Sequence, residues 1–430
     1  NVWTPAPDGA RRPVLVWIHG GAFVIGAGSQ TLYDGATLAR RGDVVVVTLN
    51  YRLGAFGFVN LEDLSDGALP ATGNEGLLDQ MAALAWVRDE IAAFGGDPSN
   101  VTIFGESAGS VSVATLLGTP RARGLFHRAI LESGSANLVV SRQHAMRVAE
   151  ALLENLELQP SQVSKLYEVP AAQLLRAQQK VYTELQSQLR GLPFGPVVDG
   201  AVLPRHPFEA IRDGAAQDVP VLVGTNLEEM KLFGISDPTA RRLDEAQLLR
   251  RCERNIPGPD TDGRRSAQRA VDTYRRARAA REAGTTPPEL WVAIESDRVF
   301  RYPAMHLAEL QRAHQPQTFA YLFTWTSPMM NGVLGACHAL EVPFVFNTLG
   351  DPMIARFAGS GPAADTLAER LQDAWIYFGH AGNPAHPGLS RWPAYDEARR
   401  TTMILGAECG LQDAPLEEER RFWSFWDGTL

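Results

Sequence analysis

Short, unbroken apolar runs punctuate the chain at residues 14–18, 44–49, 101–104, 129–131, 219–223, 319–323 and 402–405, and most are separated by helix-prone stretches. A strand with one wet face alternates apolar and polar positions. A run without alternation marks a strand covered on both faces, so the pattern predicts an α/β fold with a largely parallel central sheet between helix layers. Two segments depart from this rhythm: residues 141–189 and 236–282 are polar and helix-prone, and are expected to be insertions over the mouth of a site. No repeat or low-complexity linker interrupts the order.

Composition narrows the function. The 430 residues are 45% hydrophobic and 21% charged, with a formal net charge of -9, which disfavours nucleic acid or an anionic membrane as partner. No apolar run approaches the roughly 20 residues of a membrane helix. Cys252, Cys337 and Cys409 are few, odd in number and widely spaced, which fits a reducing, cytoplasmic setting and offers no metal spacing. No metal or cofactor is expected. Gly26-Ala27-Gly28 is not followed by the residues of a phosphate loop, and the arginines between 264 and 281 lack aromatic interleaving beyond Tyr274, which suits a solvated helix.

The most specific chemistry lies at the end of the third run. Val101 to Phe104 leads directly into Gly105-Glu106-Ser107-Ala108-Gly109, a G-x-S-x-G pattern in which two glycines let a strand turn sharply into a helix and expose a strained serine above the sheet. Such a serine suits acyl transfer. Alone the pattern is also an ordinary turn, but Phe94-Gly95-Gly96-Asp97-Pro98-Ser99-Asn100 precedes it at fixed spacing.

That whole segment resembles the signature of the type-B carboxylesterases, the carboxylesterase and cholinesterase branch of the α/β-hydrolases. The resemblance continues through Trp17-Ile18-His19-Gly20-Gly21-Ala22-Phe23, Tyr33-Asp34-Gly35, Asn50-Tyr51-Arg52-Leu53-Gly54 and Gly73-Asn74-Glu75-Gly76. Downstream it includes Ile130-Leu131-Glu132-Ser133-Gly134, His338 with Glu341-Val342-Pro343-Phe344, and Trp392-Pro393-Ala394-Tyr395. It implies one α/β-hydrolase domain over residues 1–430, whose first residues resemble a point already inside the family's fold, so that its N-terminal strands are expected to be missing. The implied activity is hydrolysis of small carboxylic esters through an acyl-serine. A non-catalytic scaffold member of the fold, or a truncated and inactive esterase, is the competing expectation.

A serine hydroxyl needs a base within reach, and the fold's order is serine, acid, histidine. His338 follows the run 319–323 in a turn-rich loop, and the family's histidine stands in such a setting. For the acid, Val221 to Thr225 ends a strand before Asn226-Leu227-Glu228-Glu229. Relatives place two acids and then glycine here, the second acid being catalytic, which maps to Glu229; Met230 replaces the glycine, and Glu228 is the alternative. By resemblance the N–H groups of Gly21, Ala22 and Ala108 form an oxyanion hole, while Glu106 supports the site and pairs with Ser133. Phe23, Phe233, Phe323, Trp325, Met329 and Met330 are candidates for an apolar pocket that would take short-to-medium acyl esters of aryl or alkyl alcohols.

Overall fold

A computed structural model describes residues 1–426 except 66, 68, 186–187, 190, 236, 257–262 and 390. Parts of both expected insertions, and the last four residues, therefore lie outside the described residues. Among the described residues eleven strands occur in chain order: β1 Val2–Trp3, β2 Arg12–Ile18, β3 Val45–Thr48, β4 Gly96–Glu106, β5 Arg128–Glu132, β6 Val140–Ser141, β7 Val197–Val198, β8 Val221–Asn226, β9 Thr318–Phe323, β10 Thr402–Leu405 and β11 Gly410–Gln412. Nine form one sheet in the order β1-β3-β2-β4-β5-β8-β9-β10-β11, and β6 and β7 pair separately. From β3 to β10 every pairing in the large sheet is parallel, while the short outer strands β1 and β11 are antiparallel.

All seven inner strands overlap a predicted apolar run, and their alternation explains the missing polar positions. Val14, Val16, Ile18, Val101, Ile103 and Leu131 point into one hydrophobic core, whereas Leu15, Trp17, Phe104, Ile130 and Leu222 point into another on the opposite face. Helices Glu75–Glu90 and Ala108–Gly118 cover the first face, and Pro362–Ala381 covers the second. Each strand thus removes both rows of side chains from water.

The two polar segments pack differently. Helices Arg142–Asn155 and Ala171–Leu185 bury Val148, Leu152 and Val181 in the first core. Helices Glu245–Asn255 and Gly263–Ala280 instead join Pro287–Ser296 and the C-terminal Glu417–Trp423 around a third core containing Leu248, Tyr274, Trp291 and Trp423. Arg275 and Arg276 of that arginine-rich helix, and Arg281 just beyond its end, pair with Glu245, Glu418 and Glu419. No described helix is long and apolar enough to cross a membrane.

The helix Ala108–Gly118 lies unusually close to the end of β2. A Cβ on Gly105 would stand 2.6 Å from the Ile18 carbonyl oxygen, and one on Gly109 would come closer still to the same atom. Since that obstacle is backbone in a fully buried strand, a side chain there must push helix and sheet apart. Gly109→Ala is expected to lower stability by about 1–3 kcal/mol, the usual cost of overpacking, read as an earlier midpoint in chemical denaturation; an unchanged midpoint would show that the contact yields freely.

Candidate active site

Ser107 sits where β4 turns into the helix Ala108–Gly118, with φ 57° and ψ -123°. For a residue with a Cβ this is a strained conformation, and it is locked from both sides: the Ser107 N–H donates to the Glu132 carbonyl at 2.9 Å, and the Ser107 carbonyl accepts from the Val111 N–H at 2.9 Å. Gly20 approaches so closely that a Cβ there would lie 3.0 Å from Ser107 Cβ. The loop after β2 is therefore pressed against the elbow.

That loop runs through three consecutive positive φ values, 111° at Gly21, 53° at Ala22 and 60° at Phe23. It is held by the N–H groups of Val24 and Ile25 donating to the Gly21 carbonyl at 3.0 and 3.1 Å. Tyr51 stacks on His19 at 4.5 Å and donates its hydroxyl to the His19 carbonyl at 2.8 Å. Among the described residues, no backbone acceptor takes up the N–H of Gly21, Ala22 or Ala108.

His338 is buried, and its Nδ1 lies 2.7 Å from Glu229 Oε2. Glu229 is itself fully buried, and its second oxygen accepts from the Asn226 N–H at 2.7 Å. The neighbouring Glu228 turns outward, pairs with Lys231 at 2.7 Å and accepts from the Ala336 N–H at 3.1 Å. One glutamate therefore meets the imidazole, and the other pins the loop leading to it. On the far side, His338 Nε2 lies 3.0 Å from Glu106 Oε1 without the alignment of a hydrogen bond. The structure thus brings His338 against Glu229 and against the residue beside Ser107, and leaves Nε2 without a hydrogen bond. Phe300 and Phe233 flank the ring, centroid to centroid, at 4.7 and 5.1 Å.

Four carboxyl groups are buried here: Glu106, Glu132, Glu229 and Glu341. Glu341 accepts from Ser133 Oγ at 3.1 Å and from Asn226 Nδ2 at 2.5 Å, and Glu132 accepts from Trp375 Nε1 at 2.7 Å. Burial, then the charges of Glu106 and Glu229, push Glu341 up to about 8. Burial likewise holds Glu132 well above the ordinary carboxyl range, with Glu341 adding to it. For His338 burial opposes the charged form, but the Glu106 and Glu229 carboxylates outweigh it and keep the imidazole well above its ordinary value. The logic is that of opposite charges in a low-dielectric pocket.

Some expectations change. Ser133, just beyond the end of β5, donates to Glu341, and no bond to Glu106 is found among the described residues. Phe23 and Phe323 are fully buried, packing on Phe58 and Phe344, and belong to the core, whereas the half-buried Trp325 packs on Phe344 at the edge of the core. Phe233 is 43% exposed beside the imidazole, and Met329 and Met330 are exposed. Glu132 and Glu341 have places in the site that the sequence reading left unassigned. The available signal was an acid inside an otherwise apolar run, which must be partnered or protonated once buried. Among the described residues no group of three histidine, cysteine or acidic side chains is placed to hold a metal ion.

Comparison with known proteins places this geometry in a wider setting. The model of the carboxylesterase family matches residues 1–423. The chain is 39% identical over 426 residues to a para-nitrobenzyl esterase of Bacillus subtilis (strain 168), covering 98% of this chain and 81% of that protein. It is 34% identical over 420 residues to a phenmedipham hydrolase of Pseudarthrobacter oxydans, covering 95% and 78%. The crystal structure of a Geobacillus stearothermophilus carboxylesterase superposes with a TM-score of 0.87 at 41% identity, covering 98% of this chain and 84% of that one.

The raised carboxyl makes a prediction about stability. The folded protein binds the Glu341 proton more tightly than the unfolded chain does, so stability is fully present below about pH 4.5 and is lost as pH rises through about 8, at up to about 1.4 kcal/mol per pH unit. Glu341→Gln mimics the protonated carboxyl and removes this loss. Its unfolding free energy should therefore rise relative to wild type between pH 5 and pH 8; a constant difference across that window would mean that Glu341 ionises normally.

Proposed function

The chain belongs to the carboxylesterase family and hydrolyses carboxylic esters, and from that premise we propose that Ser107 is the nucleophile, His338 its base and Glu229 the acid that orients the base. The observation that carries the assignment is the strained Ser107 at the strand-to-helix turn, with the His338 and Glu229 pair held at 2.7 Å beside its neighbour Glu106. In this reading Glu229 accepts from Nδ1–H, which leaves Nε2 as the proton acceptor. Nε2 takes the Ser107 proton as Oγ attacks the ester carbonyl. The N–H groups of Gly21, Ala22 and Ala108 receive the oxyanion, and their freedom from backbone acceptors supports that role. His338 then gives its proton to the departing alkoxide. A water deprotonated by the same nitrogen attacks the acyl-Ser107 ester, and collapse of the second tetrahedral intermediate releases the acid and restores the serine. These steps call on no cofactor.

The partly exposed Phe233 ring beside His338 and the similarity to a para-nitrobenzyl esterase favour an aryl or alkyl ester with a short-to-medium acyl group. Specificity of this kind lies in the walls of the site and not in the fold. One domain with two helical insertions, residues 141–189 and 236–282, is the organisation proposed. A cytoplasmic setting is proposed from Cys252, Cys337 and Cys409, none of which is in a disulfide.

Three variants assayed on one p-nitrophenyl ester test the assignment. Ser107→Ala and Glu229→Gln should each lose about 10⁴-fold or more in kcat. Glu228→Gln should lose less than about tenfold, or about 1.4 kcal/mol in the barrier; the reverse ranking of the two glutamates would move the acid to Glu228. Because the base must be neutral to work, kcat/KM should rise with pH through a midpoint above histidine's usual ~6.5. Glu106→Gln removes a neighbouring negative charge, so it should move that midpoint downward, and an unmoved midpoint would remove Glu106 from the imidazole's electrostatics.

A further inference from the structure

Beside the loop that carries Glu229 opens a cleft of about 560 Å³ that none of the chemistry above uses. Its volume falls in the range of sites for small organic ligands. Leu227, Ile235, Val292 and Val333 supply apolar wall, and Arg241 and Arg278 supply charge. Both guanidinium groups are tethered by one nitrogen: Arg241 Nε donates to the Gly234 carbonyl at 2.8 Å, and Arg278 Nε to the Gly284 carbonyl at 2.6 Å. Neither has a carboxylate at ion-pair distance among the described residues, in contrast to Arg275 and Arg276 on the same helix as Arg278 and to Arg281 just beyond its end. Arg278 is half-buried, and burial works against its charge. Of the acids of the cleft, Glu228 is taken up by Lys231 and the Ala336 N–H, while Glu289, which accepts from the Thr286 N–H at 3.0 Å, interacts electrostatically with Arg278 without reaching ion-pair distance. What remains is two tethered guanidinium groups, without an ion-pair partner among the described residues, in the lining of a cleft that also has apolar wall.

We propose that this cleft binds a carboxylate with an apolar tail, its head on Arg278 and Arg241 and its tail along Ile235, Val292 and Val333. A guanidinium fork matches a carboxylate with two parallel hydrogen bonds, and the apolar wall rewards a tail that a mineral anion lacks. The acid released from an ester has this chemistry, and to that extent the inference rests on the proposed function. The cleft also has a route to the imidazole. The Glu228 carboxylate lies against Gly335 so tightly that no Cβ would fit there, and it accepts from Ala336, two residues before His338. A carboxylate that draws Lys231 from Glu228 would loosen that hold, so accumulated acid would slow turnover without competing for Ser107.

Calorimetric titration of the full chain with octanoate, and with octanamide as the neutral control, tests the site without reference to hydrolysis. Octanoate should bind the wild type at least tenfold more tightly than octanamide does. Arg278→Gln should weaken octanoate at least tenfold, Arg278→Lys should recover part of the loss, and Ser107→Ala should leave the affinity unchanged. Val292→Trp, which fills the cleft and keeps every charge, should abolish binding and guards against a misfolded arginine variant. Equal affinity of wild type and Arg278→Gln for octanoate, or no preference over octanamide, would overturn the proposal whatever the fate of Ser107 as nucleophile. Inactive Ser107→Ala with intact octanoate binding would support the cleft independently.

Discussion

The pairing of His338 Nδ1 with Glu229 at 2.7 Å, both side chains out of water, is the interaction around which the site is organised. An imidazole in such a place would lose its proton affinity through burial alone. The carboxylates at its two nitrogens reverse that sign, so the ring is held as a strong base whose cation is stabilised where it would form. The same burial forces a cost on the surrounding acids. Glu132 and Glu341 have no cation to answer their charge, and they meet this by keeping their protons and by accepting from Trp375, Ser133 and Asn226. Glu106 and Glu229 are the carboxyl groups that reach the imidazole nitrogens, at 3.0 and 2.7 Å.

The sheet makes this arrangement possible by fixing where each loop begins. In the parallel register Ile18 stands opposite Gly105, and Glu106 opposite Glu132, so the loop after β2, the elbow after β4 and the end of β5 emerge at one edge. Next to them, Asn226 at the end of β8 pairs with Phe323 at the end of β9. Asn226 then ties the two remaining loops together, its N–H on Glu229 and its side chain on Glu341 and the Cys337 carbonyl at 2.7 Å. A parallel sheet buried on both faces has little freedom to shift, which suits a site assembled from five separate strand ends.

Much of this was legible in the chain. The seven inner strands announced themselves because burial on both faces leaves no polar position, and the elbow did so through Gly105 and Gly109, where a Cβ would clash with the Ile18 carbonyl oxygen. The outer strands were not legible. Val2–Trp3 is too short for a pattern, and Gly410–Gln412 is exposed along its length. The choice between Glu228 and Glu229 was open for a related reason: two adjacent acids look alike until tertiary structure turns one inward and gives the other to Lys231. Ser133 was misplaced because its partner Glu341 lies 208 residues away, a contact that no local pattern encodes. Phe23 and Phe323 looked like pocket walls only because aromatic residues near a motif are equally suited to the core beneath it.

The central claim is that one serine, Ser107, is chemically activated by its surroundings. Treatment of the folded protein with an organophosphate such as diethyl p-nitrophenyl phosphate, followed by intact-mass measurement, addresses it most directly. The account predicts one diethylphosphoryl adduct per chain, release of one equivalent of p-nitrophenol, and loss of both in Ser107→Ala. Folded wild-type protein that stays unmodified, or an adduct that survives removal of the Ser107 hydroxyl, would contradict it.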